Sequence, residues 1–290
     1  MFRKILSAAS LLTFVTIPLF ADDQVAMWQV RDDDTVINIL GTVHILKPGT
    51  VWMNEDITVA LKAADKLYLE LSPEQSSDQV MQSLVPKYGL LPADENLKDK
   101  IGEEDFDALV AGLASFGVPA QALNRFRPWF AGLTYTVLQY IKTGYDDKVG
   151  VEAVLTEFAK TEGKMIDGLE TAEFQISVFA SLKEEDQIKF LRDALNEADQ
   201  IETVMSEMTE LWINGDADKL GIMINEELVG FPELADKLLY KRNENWVGDI
   251  QRILKDPGNF MIAVGSGHLA GKQSVIELLK AEGIVVTRTH

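Results

Sequence analysis

The chain has no cysteine in its 290 residues, which excludes a disulfide framework, a thiolate metal centre and a lipidated N-terminal cysteine. Histidine is almost as scarce, with three copies at His44, His268 and His290. No apolar stretch reaches the roughly 20 residues of a membrane span, no glycine-rich phosphate loop is present, and no low-complexity linker divides the chain. Positive charge is the minority sign, with 27 Lys and Arg against 46 Asp and Glu. That imbalance disfavours nucleic acid and anionic membrane surfaces as partners, and it keeps an exported protein soluble.

What is present is a core-forming composition, 47% apolar, which excludes a disordered chain. Residues 1–21 carry a basic start at Arg3 and Lys4, an apolar centre from Leu11 to Phe20 and small Ala21 before Asp22, the layout of a cleaved export signal. Its loss removes two positive charges and leaves a mature chain near minus 21. The protein is therefore expected in the periplasm or secreted, with no stable membrane span after cleavage.

The remainder, 22–290, reads as a single domain. Val25 to Val30 and Thr35 to Leu40 flank the polar turn Arg31-Asp32-Asp33-Asp34 and predict a hairpin. Asn54 is placed to cap a helix running to about Ala64, because Ile57, Ala60, Leu61 and Ala64 recur at helical spacing. Lys66 to Leu71 predicts a buried strand, and Lys164 to Gly168 a short one ending at Leu169-Glu170. The middle, about 76–255, is otherwise helical, with breaks expected at Pro86, Pro92, Pro119, Pro128, Gly215, Gly230 and Pro232. Phe260 to Val264, Lys272 to Ala281 and Ile284 to Arg288 then predict strand, helix and strand. The fold class is α/β, a central β-sheet formed from N- and C-terminal parts with a large helical insertion.

Two of the three histidines occupy one repeated pattern, GTVH (Gly41 to His44) and GSGH (Gly265 to His268), each just beyond an apolar run. Such a pair suggests converging ligands or proton carriers, since imidazole serves both roles near neutral pH. Glu70 and Glu170 also end predicted strands, and ligands in open α/β sheets bind where loops leave the carboxyl ends of strands. Gly41, Gly265 and Gly267 are expected to turn the backbone sharply or permit close approach, by positive φ where needed. The helix after Leu269-Ala270-Gly271 offers N-terminal amides to an anionic group.

Each residue also has a plainer reading. A histidine at a strand end can simply be a satisfied hydrogen-bonding residue, and Glu70 can face water at its strand end. Glu170 can be the acidic residue opening the next helix. Arg127 in RFRPW either binds a substrate carboxylate or starts a helix before Pro128. Arg242 in KRNENW is a buried ion-pair partner or a site residue. Trp52, Trp129, Trp212 and Trp246 read as packing.

The motifs GTVH, LYLEL, RPW, GVEAVL, GLETAEFQ, WINGD, KRNENW and AVGSGHLAG, in that order over about Trp28 to Val286, resemble the landmarks of the TraB/GumN family. That family is similar to the Tiki membrane metalloproteases and, more distantly, to erythromycin esterase and ChaN-like haem-binding proteins. The resemblance implies a pocket built from His44, His268, Glu70 and Glu170. From Tiki-like members it implies peptidase activity dependent on a divalent metal, manganese or cobalt. One departure stands out: Glu152 follows Gly150-Val151 where aspartate is expected.

The chemistry is self-consistent. Two imidazoles and one or two carboxylates can hold a divalent ion, zinc included, with a position open for water. A carboxylate left outside the ligand set, Glu70 or Glu170, would act as general base. The leading expectation is an exported metal-dependent hydrolase acting on a peptide or amide bond of a peptide or small-molecule substrate. Two alternatives stand beside it: a metal-independent, esterase-like hydrolase with His44 or His268 as base, and a haem- or metal-binding protein with one of these histidines as axial ligand.

Overall fold

The protein is described by a computed structural model over residues 24–290, so the expected export signal lies outside the described residues. Six strands form one mixed sheet: β1 (Met27–Arg31), β2 (Thr35–Thr42), β3 (Lys66–Leu71), β4 (Met165–Glu170), β5 (Gly258–Gly265) and β6 (Val286–Arg288). Their order is β4-β3-β5-β2-β1-β6. The hairpin β1–β2 is antiparallel, and Asp32 Oδ1 closes its turn by accepting from the Asp34 and Thr35 amides. β2, β5, β3 and β4 run parallel to one another. β5, from the C-terminal part, therefore lies between β2 and β3 from the N-terminal part.

The alternation of side chains along the parallel strands builds two cores, one on each face of the sheet. On β5, Met261 and Ala263 join Leu61, Leu67, Leu155 and Trp212 on one face. Phe260, Ile262 and Val264 join Ile37, Ile39, Trp246 and Leu279 on the other. The helices between Asp78 and Ile253, with β4 among them, form the insertion. Part of it has a core of its own around Leu97, Leu109, Leu123 and Leu191.

Local signals fix most boundaries. Asn54 Oδ1 accepts from the Ile57 amide at 2.8 Å and caps the helix Glu55–Ala63. Gly215, at φ +66°, separates the helices Ile201–Ile213 and Ala217–Leu228. Two expectations shift. Pro86 lies inside the helix Asp78–Tyr88, which runs on only as far as Tyr88, so the missing amide falls in its last turn. The last helix starts at Val275 because Ser274 Oγ accepts from the Glu277 amide and caps it there.

Candidate functional site

The parallel strands end together, and that shared edge gathers the four residues expected from the sequence. The pairing Thr42 with Gly265 and Leu71 with Glu170 sets the heights of the strand ends. Glu70 is held by the Gly265 amide, which donates to its Oε1 at 2.8 Å. Glu70 Oε1 also lies 3.9 Å from His268 Nε2. A Cβ on Gly265 would stand 3.1 Å from Glu70 Oε1, 3.6 Å from His268 Cδ2 and 3.7 Å from His44 Nε2, so the three side chains close around one glycine.

The three motif glycines serve close approach rather than unusual backbone angles. None of Gly41, Gly265 and Gly267 is among the positive-φ glycines. A Cβ on Gly41 would meet Ser266 Oγ at 2.8 Å, and one on Gly267 would meet Ile224 at 3.2 Å. The tightest approach is at a glycine that the sequence did not single out for it. Gly150 passes so near the His44 carbonyl oxygen that any Cβ would overlap it, and Val151 donates its amide to Val43.

Arg242 stands at the middle of the cluster. Its Nη2 donates to Glu70 Oε2 at 2.6 Å, and its Nε to both oxygens of Glu170 at 3.0 and 2.9 Å. Nη1 donates to the Leu238 carbonyl at 2.9 Å and faces His268 Nε2 at 3.1 Å. Gln175 Nε2 bridges the two carboxylates, at 3.1 Å from Glu70 and 3.2 Å from Glu170. Thr171, not Glu170, caps the helix Ala172–Ala180, which leaves Glu170 for the guanidinium. A guanidinium can only donate, so His268 Nε2 is an acceptor and His268 Nδ1 carries the proton, donated to Asn243 Oδ1 at 2.6 Å.

Burial drives the His268 imidazole down to about 3, with Arg242 acting in the same direction against Glu70. Burial raises the Glu70 carboxyl, but His268, Arg242, His44 and the Gly265 amide outweigh it and hold the group at about 2. With His268 neutral across the physiological range, Arg242 is the permanent cation of the buried group.

His44 differs. Its side chain is 65% exposed, and its Nδ1 lies 2.8 Å from Glu152 Oε1. The Glu152 carboxylate lifts the ring's pKa to about 9, with Glu70 assisting and Arg242 opposing. Solvent screens this pair, and the direction keeps His44 protonated at neutral pH. Thr42 Oγ1 donates to the same Glu152 oxygen. Glu152 Oε2 is shielded from water and has no protein partner.

A cleft of about 580 Å³ opens here, lined among others by His44, Glu70, Glu152, Gln175 and Lys160. His268, Glu170 and Arg242 stand behind its wall rather than in its lining. A second hollow of about 610 Å³ touches Asn243 and Gly267 and takes none of the ionisable cluster into its lining. Arg127 does not join the cluster: its Nε donates to the Leu90 carbonyl at 3.1 Å, ahead of the helix Pro128–Lys142.

The residues missed by sequence reasoning are Asn243, Gln175 and Thr42. Asn243 and Gln175 stand in the motifs KRNENW and GLETAEFQ, but a motif does not name its hydrogen-bond partners. Glu152, noted only as a departure from the expected aspartate, is the carboxylate that fastens His44.

A family model for TraB/PrgY/gumN matches residues 26–288. The chain belongs to the TraB/PrgY/gumN family. Among its TraB/PrgY/gumN relatives is the "Uncharacterized protein YbaP" of Escherichia coli (strain K12), 24% identical over 243 residues, covering 84% of this chain and 87% of that protein. A protein of the same name from Shigella flexneri matches with the same identity and coverage. No solved structure matches. Among the described residues, no helix is long and apolar enough to cross a membrane.

A divalent ion at His44, His268, Glu70 and Glu170 is the expectation carried by the resemblance, and the donor chemistry suits one. Their present arrangement does not fit one. Both oxygens of Glu170, one of Glu70 and the acceptor nitrogen of His268 face Arg242, and the other oxygen of Glu70 faces an amide. Among the described residues, no group of three or more His, Asp and Glu side chains is disposed to hold a metal.

Proposed function

We propose that the chain is an exported hydrolase that cleaves a peptide or other amide bond in the His44 cleft, with His44 as proton donor and Glu70 as base. The observation that carries this reading is the placement of a protonated imidazole and an ionised carboxylate on one cleft, each fixed from behind. Glu152 grips His44, while Arg242 and the Gly265 amide grip Glu70. Preorganised charge of this kind stabilises charge that develops only in the transition state.

The step balances without a further reactant. Water attacks the carbonyl carbon, its proton passes to Glu70 Oε1, and the new C–O bond forms. His44 gives its proton to the leaving nitrogen as the C–N bond breaks. Exchange with solvent then returns the proton from Glu70 to His44. Glu70 is a weak base at about 2, so its contribution is chiefly orientation of the water, with proton transfer completed late.

A peptide and ester library read by mass spectrometry tests the reading. His44→Gln and Glu70→Gln are each expected to lower kcat by roughly 10²- to 10⁴-fold, the range for acid–base groups. Undiminished turnover in either would sink it.

A second reading, the metal-dependent one, draws on one observation. Both rings are held through Nδ1, His44 by Glu152 and His268 by Asn243, as metal-bound imidazoles are. Exhaustive chelation separates the two: turnover survives it on the first reading and is lost, then restored by manganese, on the second.

A further inference from the structure

We propose that Arg242 is the resident cation of this site, a guanidinium that takes the place of a divalent ion among Glu70, Glu170 and His268. The inference deepens the proposed hydrolase reading and rests on it only for the meaning of the site, not for its test.

Every nitrogen of the guanidinium has a partner within the cluster. A guanidinium has five N–H groups in a rigid planar fork. Nε donates to Glu170, Nη2 donates to Glu70 at 2.6 Å and forms an ion pair with Glu170 at 2.9 Å, and Nη1 donates to the Leu238 carbonyl and to His268 Nε2. Buried and outside the lining of the cleft, the guanidinium does not meet a substrate carboxylate, so Arg242 is not a substrate anchor. It is a positioning residue, acting through the carboxylates and the imidazole that it holds.

Its own place is equally fixed. The helix carrying it, Lys241–Ile253, follows a π-helical turn at Asp236–Tyr240, and Leu238 within that turn supplies the carbonyl. The Trp246 ring lies beneath the guanidinium at 4.9 Å and packs on His268 at 4.3 Å between centroids. Arg242 is buried. An ion entering this cluster would have to strip Arg242 of three acceptors, and buried donors stranded in this way are costly.

The converse follows from the same geometry. Without the guanidinium, two adjacent buried carboxylates lack a counter-charge, and buried charges must be paired or coordinate a metal. Arg242→Met is therefore expected to acquire a divalent ion that the wild-type chain does not take.

Equilibrium dialysis with zinc and with manganese tests this on the purified full chain. Wild type is expected to take up neither ion at the cluster, whereas Arg242→Met takes up one per chain and loses it again when Glu70→Gln is added. In parallel, Arg242→Ala is expected to show a higher thermal midpoint in millimolar guanidinium than in potassium of equal ionic strength, because the free cation refills the vacated fork.

Wild-type uptake of one ion per chain that is abolished by both Glu70→Gln and Glu170→Gln would overturn the inference. A folded Arg242→Met that takes up nothing would do the same, as would an Arg242→Ala midpoint indifferent to guanidinium. Should Arg242→Met and Arg242→Ala fail to fold, the wild-type arm still decides. If no hydrolysis is found while this uptake pattern holds, the proposed function fails alone. Hydrolysis together with wild-type uptake at Glu70 and Glu170 sinks this inference alone.

Discussion

Glu152 holds the proton on His44, so replacing it gives a direct readout of the pair. In Glu152→Gln the His44 pKa is expected to fall from about 9 toward its ordinary 6.5, measured by NMR titration of the ring. The sign for stability follows from a raised folded value. The pair stabilises the fold fully below about pH 6.5 and loses that contribution as pH rises through about 9. The midpoint gap between wild type and Glu152→Gln should thus be widest in mild acid and close in base. Activity that needs the His44 proton should decline over the same upper window. A second expectation concerns Gly265, where a methyl would press on Glu70 Oε1 at 3.1 Å. Gly265→Ala is expected to lose turnover while destabilising the fold by no more than about 1–3 kcal/mol, checked by kinetics beside a denaturant titration. The grouping of His44, Glu70, Glu170 and His268 was legible, because a scarce residue repeated at one offset beyond a strand marks a sheet edge. Arg242 as its hub was not, since nothing in KRNENW states which acceptors its fork will meet.

At the scale of single elements, the strands were readable wherever burial on both faces produced a continuous apolar run, as in Leu67 to Leu69 and Phe260 to Val264. β6 was less so. Only Val286 to Arg288 pair with β1, because an edge strand needs no apolar pattern and its length is set by its partner. The π-helical turn before Arg242 was invisible for a related reason: its residues Asp236 to Tyr240 keep an ordinary helical composition, and tertiary contacts decide the wider turn. The capped helix Glu55–Ala63 offers a control away from the cluster. Asn54→Ala removes the acceptor for the Ile57 amide and is expected to cost about 1 kcal/mol, seen as a lower urea midpoint with kcat unchanged. A fall in kcat equal to that at His44 would show that this helix end takes part in the site.

For the molecule as a whole, charge is the dominant variable. A chain at minus 19 with a pI near 4.5 loses its mutual repulsion as pH falls to that value, so light scattering should find its greatest self-association there. Acid unfolding should extend lower. Glu70, ordinarily at 4.5 and held near 2, stabilises the fold above its ordinary value and surrenders that contribution only as pH falls through about 2. Glu70→Gln should flatten this part of the acid transition, followed by circular dichroism. The strand order carries a consequence for synthesis. β2 and β3 do not pair with each other; β5 lies between them, and it begins at Gly258. Until the ribosome has made the chain through β5 at Gly258–Gly265, the early strands have bare edges on their inner sides, and Glu70 waits 172 positions for Arg242. Prematurely terminated products thus cannot assemble the barrier between water and the sheet, and they present sticky borders to one another. Arrival of β5 is, in effect, the event that permits closure.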